Sequence, residues 1–173
     1  MLLALDLSTK STGFAIFNIE TKELIAYGCL VEKNTNVLNR IPSMENKIID
    51  LFKKYKITKV VAEEVLMNET LKDSCYGNQK TLKALLYLQG AISIRVFKDY
   101  KLEIEYIQAN VWRSIIGIKV GRGIKRETLK KEDIRFAAQT YSLDQASLTD
   151  DEADAICIGH AYLHKTEKKI SAW

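Results

Sequence analysis

Three strand-like segments follow one another at the N-terminal end before any helix-like segment appears. Leu2 to Leu7 is an apolar run of strand length, and Phe14 to Ile19 and Leu24 to Val31 are the next two. Gly13 and the stretch Glu20-Thr21-Lys22-Glu23 stand where turns are needed. Asn36 is placed to cap a helix running to about Tyr55, with Ile48, Leu51 and Phe52 at helical spacing and Pro42 interrupting its first turns. Lys59-Val60-Val61-Ala62 is then a β-branched run that ends in Glu63-Glu64. Residues 68–78 are polar and read as a loop. Leu82, Leu85, Leu86, Ile92 and Val96 mark a long helix, and Leu102 to Ile107 alternates as a strand does. A short helix near Val111 to Ile116 stops at Gly117, and helices over about 127–141 and 150–165 close the chain. Consecutive strands followed by strands alternating with helices predict a mixed α/β sheet with helices on both faces.

The 173 residues suit one domain, 1–173, with the end from 165 to 173 expected as a loose tail. Apolar residues at 47% and charged residues at 28% exclude a disordered chain. No apolar run reaches the roughly 18–20 residues of a membrane span. The opening Met1-Leu2-Leu3-Ala4-Leu5 lacks a basic start and is cut short by Asp6, so it reads as a strand and not as a signal peptide. Cys29, Cys75 and Cys157 are scattered and odd in number, which points to a reducing, cytoplasmic compartment instead of a disulfide framework or zinc site. The net charge of +4 is concentrated: Lys119, Arg122, Lys125, Arg126, Lys130 and Lys131 face only Glu127 within residues 119–131. A local basic patch on a near-neutral body suits a polyanion such as nucleic acid; the bland alternative is a solvated loop and helix start.

Three acidic positions carry the chemistry. Asp6 interrupts an apolar strand, where a carboxylate is costly unless paired or bound to a cation, although simple alternation could also turn it to water. Ser8, Thr9, Ser11, Thr12 and Gly13 after it make a small polar turn that a phosphate-bearing ligand could approach. Glu63 and Glu64 end a second apolar strand and point to opposite faces, so one of them can face a site. In Asp150-Asp151-Glu152-Ala153-Asp154, Thr149 or Asp150 can cap a helix, and Asp151 and Asp154 are neighbours at i and i+3. An acidic first turn that favours the helix dipole explains Asp150 to Glu152. It explains Asp154 less well, because the same stripe continues through apolar Ile158 and Ala161. Gathered carboxylates become favourable together around hard divalent ions. Two such ions about 3.5–4 Å apart can activate water and stabilise the leaving oxygen of a phosphodiester.

With these segments in order, the sequence resembles the RuvC family of Holliday junction resolvases, within the ribonuclease H-like nucleases. The resemblance rests on Leu3-Ala4-Leu5-Asp6-Leu7-Ser8 with Thr12-Gly13-Phe14-Ala15, on Val61-Ala62-Glu63-Glu64-Val65-Leu66-Met67, and on Asp151-Glu152-Ala153-Asp154-Ala155 before an apolar helix. It is similar to the phage-type branch, which would place it in the cytoplasm of a bacterial host. The resemblance implies a ribonuclease H-like, five-stranded mixed sheet and a magnesium-dependent endodeoxyribonuclease, with manganese substituting and two ions per site. It implies metal ligation by Asp6, Glu63 (over Glu64), Asp151 and Asp154, products with a 5′ phosphate and 3′ hydroxyl, and a two-fold homodimer acting on four-way junctions and forks. The expected DNA contacts are Leu66, Arg113, Lys119, Arg122, Lys125 and Arg126. Leu66 stands where bacterial members carry a wedging aromatic, Trp112-Arg113 replaces a more lysine-like stretch, and Lys125 is the nearest match to a family lysine near the site. The segment Gly117 to Lys131 is longer and more basic than the bacterial pattern, which implies broader cutting of branched DNA.

Two rival readings differ in class. A small phosphotransferase of the sugar-kinase and actin type also places a phosphate loop after an Asp-ending strand, but needs a second glycine-rich loop and a longer chain. A non-catalytic binder of branched DNA would not need all the acids. His160 and His164, at i and i+4, lack the intervening glutamate of a metalloprotease helix and read as a helix-face pair. Trp112 and Tyr141 read as partly packed aromatics, with Trp112 beside Arg113 within possible reach of DNA.

Overall fold

A computed structural model of the chain describes residues 1–65 and 79–165. The predicted loop at 68–78 lies outside the described residues, as does the predicted tail apart from residue 165. Strands β1 (Leu2–Asp6), β2 (Ser11–Phe17) and β3 (Leu24–Val31) come first. Helix α1 (Val37–Lys54), β4 (Lys59–Glu63), α2 (Gln79–Tyr100) and β5 (Ile104–Ile107) follow, and α3 (Ala109–Ile115), α4 (Arg126–Tyr141) and α5 (Asp150–Leu163) complete the chain. The five strands form one sheet in the order β3-β2-β1-β4-β5. β1 and β2, and β2 and β3, pair antiparallel, whereas β4 runs parallel to both β1 and β5. The predicted mixed α/β sheet is therefore present.

Alternation along the strands sorts the core into two layers. Leu3, Leu5, Ile16, Val60 and Ala62 pack against Ile41, Met44, Ile48 and Phe52 of α1 and Leu88, Ile92 and Val96 of α2. Leu2, Ala4, Ala15, Phe17 and Val61 face Trp112 of α3, Ala137 of α4 and the buried face of α5. Both faces of β1 are covered, which explains its unbroken apolar run.

α5 lies against the sheet through small residues, Ala153, Ala155, Cys157, Gly159 and Ala161. A Cβ on Gly159 would stand 2.2 Å from the Phe17 ring, so this approach requires glycine. In α1, Asn36 caps as expected, its side chain accepting from the Leu38 amide at 2.9 Å. Pro42 lies inside the helix, where its missing N–H affects one bond near the exposed N-terminal end.

β2 begins at Ser11, earlier than the predicted Phe14, and ends at Phe17 instead of Ile19. Its polar start is held by pairing with both neighbours: Gly13 lies opposite Asp6 on one side and Cys29 on the other. Its end is set by Asn18, whose side-chain oxygen accepts from the amides of Glu20 and Thr21 and turns the chain.

Candidate active site

β1 and β4 are parallel neighbours, and each ends in an acid. The register Leu5 to Ala62 carries the next residues, Asp6 and Glu63, to adjacent strands, roughly 4.8 Å apart in backbone spacing. Strand parity turns both toward the α5 layer: Asp6 follows Leu2 and Ala4, and Glu63 follows Val61. The carboxyl ends of parallel strands are where α/β sheets commonly bind ligands.

The N-terminus of α5 reaches the same pole. A Cβ on Gly13 would stand 1.8 Å from the Asp151 carbonyl oxygen, so the backbone of α5 presses directly on β2 at the residue paired with Asp6. The start of α5 is set by a capping box: the Thr149 hydroxyl accepts from the Glu152 amide, and the Glu152 carboxylate accepts from the Thr149 amide at 2.9 Å. Of the four acids in 150–154, Glu152 is thus used by the cap and Asp150 by an ion pair with Lys130. Asp151 and Asp154 are left for the sheet.

Each remaining acid has a distinct setting. Asp151 Oδ2 accepts from Ser11 Oγ at 2.5 Å, and Cys29 Sγ lies 2.9 Å from the same hydroxyl. Glu63 Oε2 accepts the indole N–H of fully buried Trp112 at 3.0 Å. Asp154 Oδ1 is buried without a hydrogen-bond partner, its nearest cation being Arg113 Nη2 at 3.8 Å. Arg113 instead donates through Nε and Nη2 to Asp133, at 3.1 and 2.8 Å to Oδ2. It also stacks on Trp112, 4.1 Å from the ring.

Burial pushes the Asp6 carboxyl up to about 8, and the negative charges of Glu63 and Asp151 push it in the same direction. Burial also raises Glu63, against the pull of the Trp112 bond and of Arg113. Asp154 is raised well above the usual carboxylate range by burial and then by Asp6 and Asp133. The acids therefore sense one another across the pole. Among the described residues no three Asp, Glu, His or Cys side chains stand at metal-holding separations. Mutual repulsion disfavours closer approach without a neutralising cation.

No protein-family model matches the chain. It is 28% identical over 165 residues to the crossover junction endodeoxyribonuclease RuvC of Aliarcobacter butzleri, covering 92% of this chain and 97% of that protein. Its fold matches Thermus thermophilus RuvC in complex with a Holliday junction substrate with a TM-score of 0.71 at 11% identity, covering 94% of this chain and 92% of that one. It matches the yeast mitochondrial Holliday junction resolvase Ydc2 with a TM-score of 0.56 at 13% identity, covering 94% and 77%. The chain is thus similar in sequence to a RuvC resolvase and shares the fold of RuvC structures.

In this RuvC-like fold the expected DNA-contact residues fall into separate groups. Lys119, Arg122 and Lys125 are exposed on the stretch before α4. Arg126, the first residue of α4, is exposed and close enough to lower the Asp6 and Glu63 carboxyls. Arg113 is different: its side chain is 11% exposed and its guanidinium is bonded inward to Asp133. That bonding makes it part of the interior support of the acids. Leu66 lies outside the described residues.

The small polar turn after Asp6 is also not the open phosphate cradle that its composition allows. The Thr12 hydroxyl donates to the Ser8 carbonyl at 2.6 Å and accepts the Ser8 amide at 3.0 Å, while Ser8 Oγ accepts from the amides of Lys10 and Ser11. These hydroxyls close the turn on itself, and Ser11 to Gly13 are β-strand.

Two contributors were not foreseen. Trp112 is packed as expected, and more completely, being fully buried; what its packing did not reveal is that its N–H orients Glu63. Asp133 is fully buried on α4, four residues before buried Ala137. Its signal is the one that marked Asp154, an acid on an apolar stripe, but here it is hidden in a helix of mostly polar composition. His160 packs edge-on against Phe136, and its Nδ1 is 2.8 Å from the Tyr141 hydroxyl. The histidine pair is thus built into the α4–α5 packing.

Proposed function

We propose that the chain is a structure-selective DNA endonuclease that resolves four-way junctions and cuts other branched DNA, with Asp6, Glu63, Asp151 and Asp154 as ligands for divalent cations. The observation that carries this reading is the meeting of acids from β1, β4 and α5 at one pole, where Asp154 Oδ1 is buried with no hydrogen-bond partner. An oxygen-only donor set fits magnesium, with manganese able to substitute, and the raised Asp6 and Asp154 carboxyls have the charge deficit that a cation would relieve. Bound there, two such ions would supply a water nucleophile at neutral pH and stabilise charge on the leaving oxygen.

The chain's own residues do the positioning. Trp112 fixes the rotamer of Glu63, Ser11 fixes that of Asp151, and the contact of Gly13 with the α5 backbone sets the distance between β2 and α5. Lys119, Arg122, Lys125 and Arg126 would hold the phosphate backbone beside the acids, a contact that positions DNA without reading its sequence. Attack of water on phosphorus with departure of the 3′ oxygen leaves a 5′ phosphate and a 3′ hydroxyl.

A four-way junction has two-fold symmetry, and paired nicks need two sites related in the same way. α2 offers a surface for such a pairing. Tyr87, Ile94 and Phe97 are 59%, 70% and 55% exposed at spacings of seven and three residues. Gly90 lies between them with open space around its missing Cβ. Glycine inside a helix costs about 1 kcal/mol against alanine, and close approach of a second helix would give it a purpose. The working unit would be a homodimer of single nuclease domains in a bacterial or host-cell cytoplasm. Among the described residues no helix is long and apolar enough to cross a membrane.

The test is a cleavage panel of four-way, three-way and linear DNA with magnesium, comparing the natural chain with Asp6→Asn. The expected result is cutting of branched substrates by the natural chain and retained binding without cutting by the variant. Full cutting by Asp6→Asn would defeat the proposal.

A further inference from the structure

The Arg113–Asp133 pair lies behind the acids and plays no part in the hydrolysis described above. Its geometry is specific. Arg113 Nη2 is 2.8 Å from Asp133 Oδ2 and 3.8 Å from Asp154 Oδ1, so one nitrogen faces two carboxylates and bonds to only one. Asp133 accepts from both Nε and Nη2, the fork arrangement that matches guanidinium to carboxylate. It is fully buried on α4, whereas the Arg113 side chain is 11% exposed and sandwiched against Trp112. Asp154 Oδ1, buried without a hydrogen bond, is the atom that Arg113 would take if Asp133 did not hold it.

We propose that Asp133 is a positioning residue that holds Arg113 off Asp154 and so keeps Asp154 Oδ1 open to a divalent cation. The inference rests on the proposed metal site. A buried guanidinium bonded to a metal ligand competes with the cation for that ligand's charge. A guanidinium held one ångström further out supports the acid pole without closing it. α3 delivers Arg113 and, through the preceding residue, also delivers the Trp112 N–H to Glu63, so the pair at 112 and 113 addresses two acids from one turn of helix. Asp133, from a different helix, decides which way the second of these side chains points.

Manganese binding measured by titration calorimetry on the full chain tests this. With Asp133→Asn, Arg113 loses its charged partner and turns to Asp154, and the affinity for manganese falls about 10–100-fold, the usual effect of altering a group behind a metal ligand. In the double variant Arg113→Met with Asp133→Leu, both charges go together, a replacement that buried ion pairs commonly tolerate. The expected manganese affinity of the double variant is close to that of the natural chain. Unchanged affinity in Asp133→Asn, or an equal loss in the single and double variants, overturns the inference. Should Asp133→Asn not fold, the double variant alone decides, since lost binding in a folded double variant is incompatible with a positioning role. If the natural chain itself binds no manganese, the metal site fails, and that result is distinct from natural binding left untouched by Asp133→Asn.

Discussion

At the scale of single residues, the acids differ in what holds them, and each difference has a measurable consequence. Asp6 sits at about 8 in the fold against an ordinary 3.8, so the folded chain keeps a proton there that the unfolded chain releases. Its contribution to stability is complete below pH 3.8 and is lost as pH rises toward 8. His160 acts in the opposite direction and in a lower window. Burial depresses it from 6.5 to about 4, so stability falls as pH drops through that interval. Between pH 6.5 and 8 the carboxyls therefore dominate. Without metal, the melting temperature should decline across this range in the natural chain, and the decline should be much shallower in Asp6→Asn. Equal slopes would show that Asp6 is not held protonated. Trp112→Phe keeps the packed ring and removes the donor to Glu63. The expected result is a loss of about 1–3 kcal/mol in urea unfolding, from an acceptor left unsatisfied. Metal-dependent cleavage should fall about 10–100-fold in the same variant.

At the scale of elements, the site depends on how closely α5 can lie on the sheet. Gly13 and Gly159 both permit that approach, but they meet different atoms. A methyl at 13 strikes the Asp151 backbone, which cannot move without moving that proposed ligand, whereas a methyl at 159 strikes the Phe17 ring. Both Gly13→Ala and Gly159→Ala should cost about 1–3 kcal/mol in chemical unfolding. Gly13→Ala should weaken manganese binding in addition, and Gly159→Ala should leave it nearly unchanged. Much of this arrangement was legible in the sequence. Asp154 stands on an apolar stripe, and Asp6 and Glu63 end apolar runs, because burying an acid is costly enough to demand a reason. The choice of Glu63 over Glu64 is also a matter of parity, since Val61 and Glu63 share a face, but parity is informative only once the covered face is known. Asp133 was not legible, because α4 carries so many polar residues that one more acid does not stand out. The closing of the turn at Ser8 to Thr12 was not legible, because composition does not reveal whether hydroxyls bond to one another or to a ligand.

At the scale of the whole molecule, charge and symmetry set what the site can act on. The basic stretch before α4 is exposed and near-contiguous with Arg126, so each of its side chains should act on DNA through phosphates. Lys125→Ala should weaken junction binding uniformly across sequences and reduce the slope of log affinity against log salt by about 1. On α2, Ile94→Glu places a charge in the middle of the exposed apolar stripe and should convert the proposed dimer into monomers in sedimentation equilibrium, abolishing the proposed paired nicking while leaving the fold intact. The mixed α/β class followed from the order of segments, whereas these surfaces did not, since exposure is a property of the assembled layers. All of these effects presuppose that the acids of β1, β4 and α5 trap a divalent cation together. Crystals grown with manganese and measured for anomalous scattering test that most directly. The expected result is strong density bounded by Asp6, Glu63, Asp151 and Asp154; manganese bound elsewhere, with that pole empty, would contradict it.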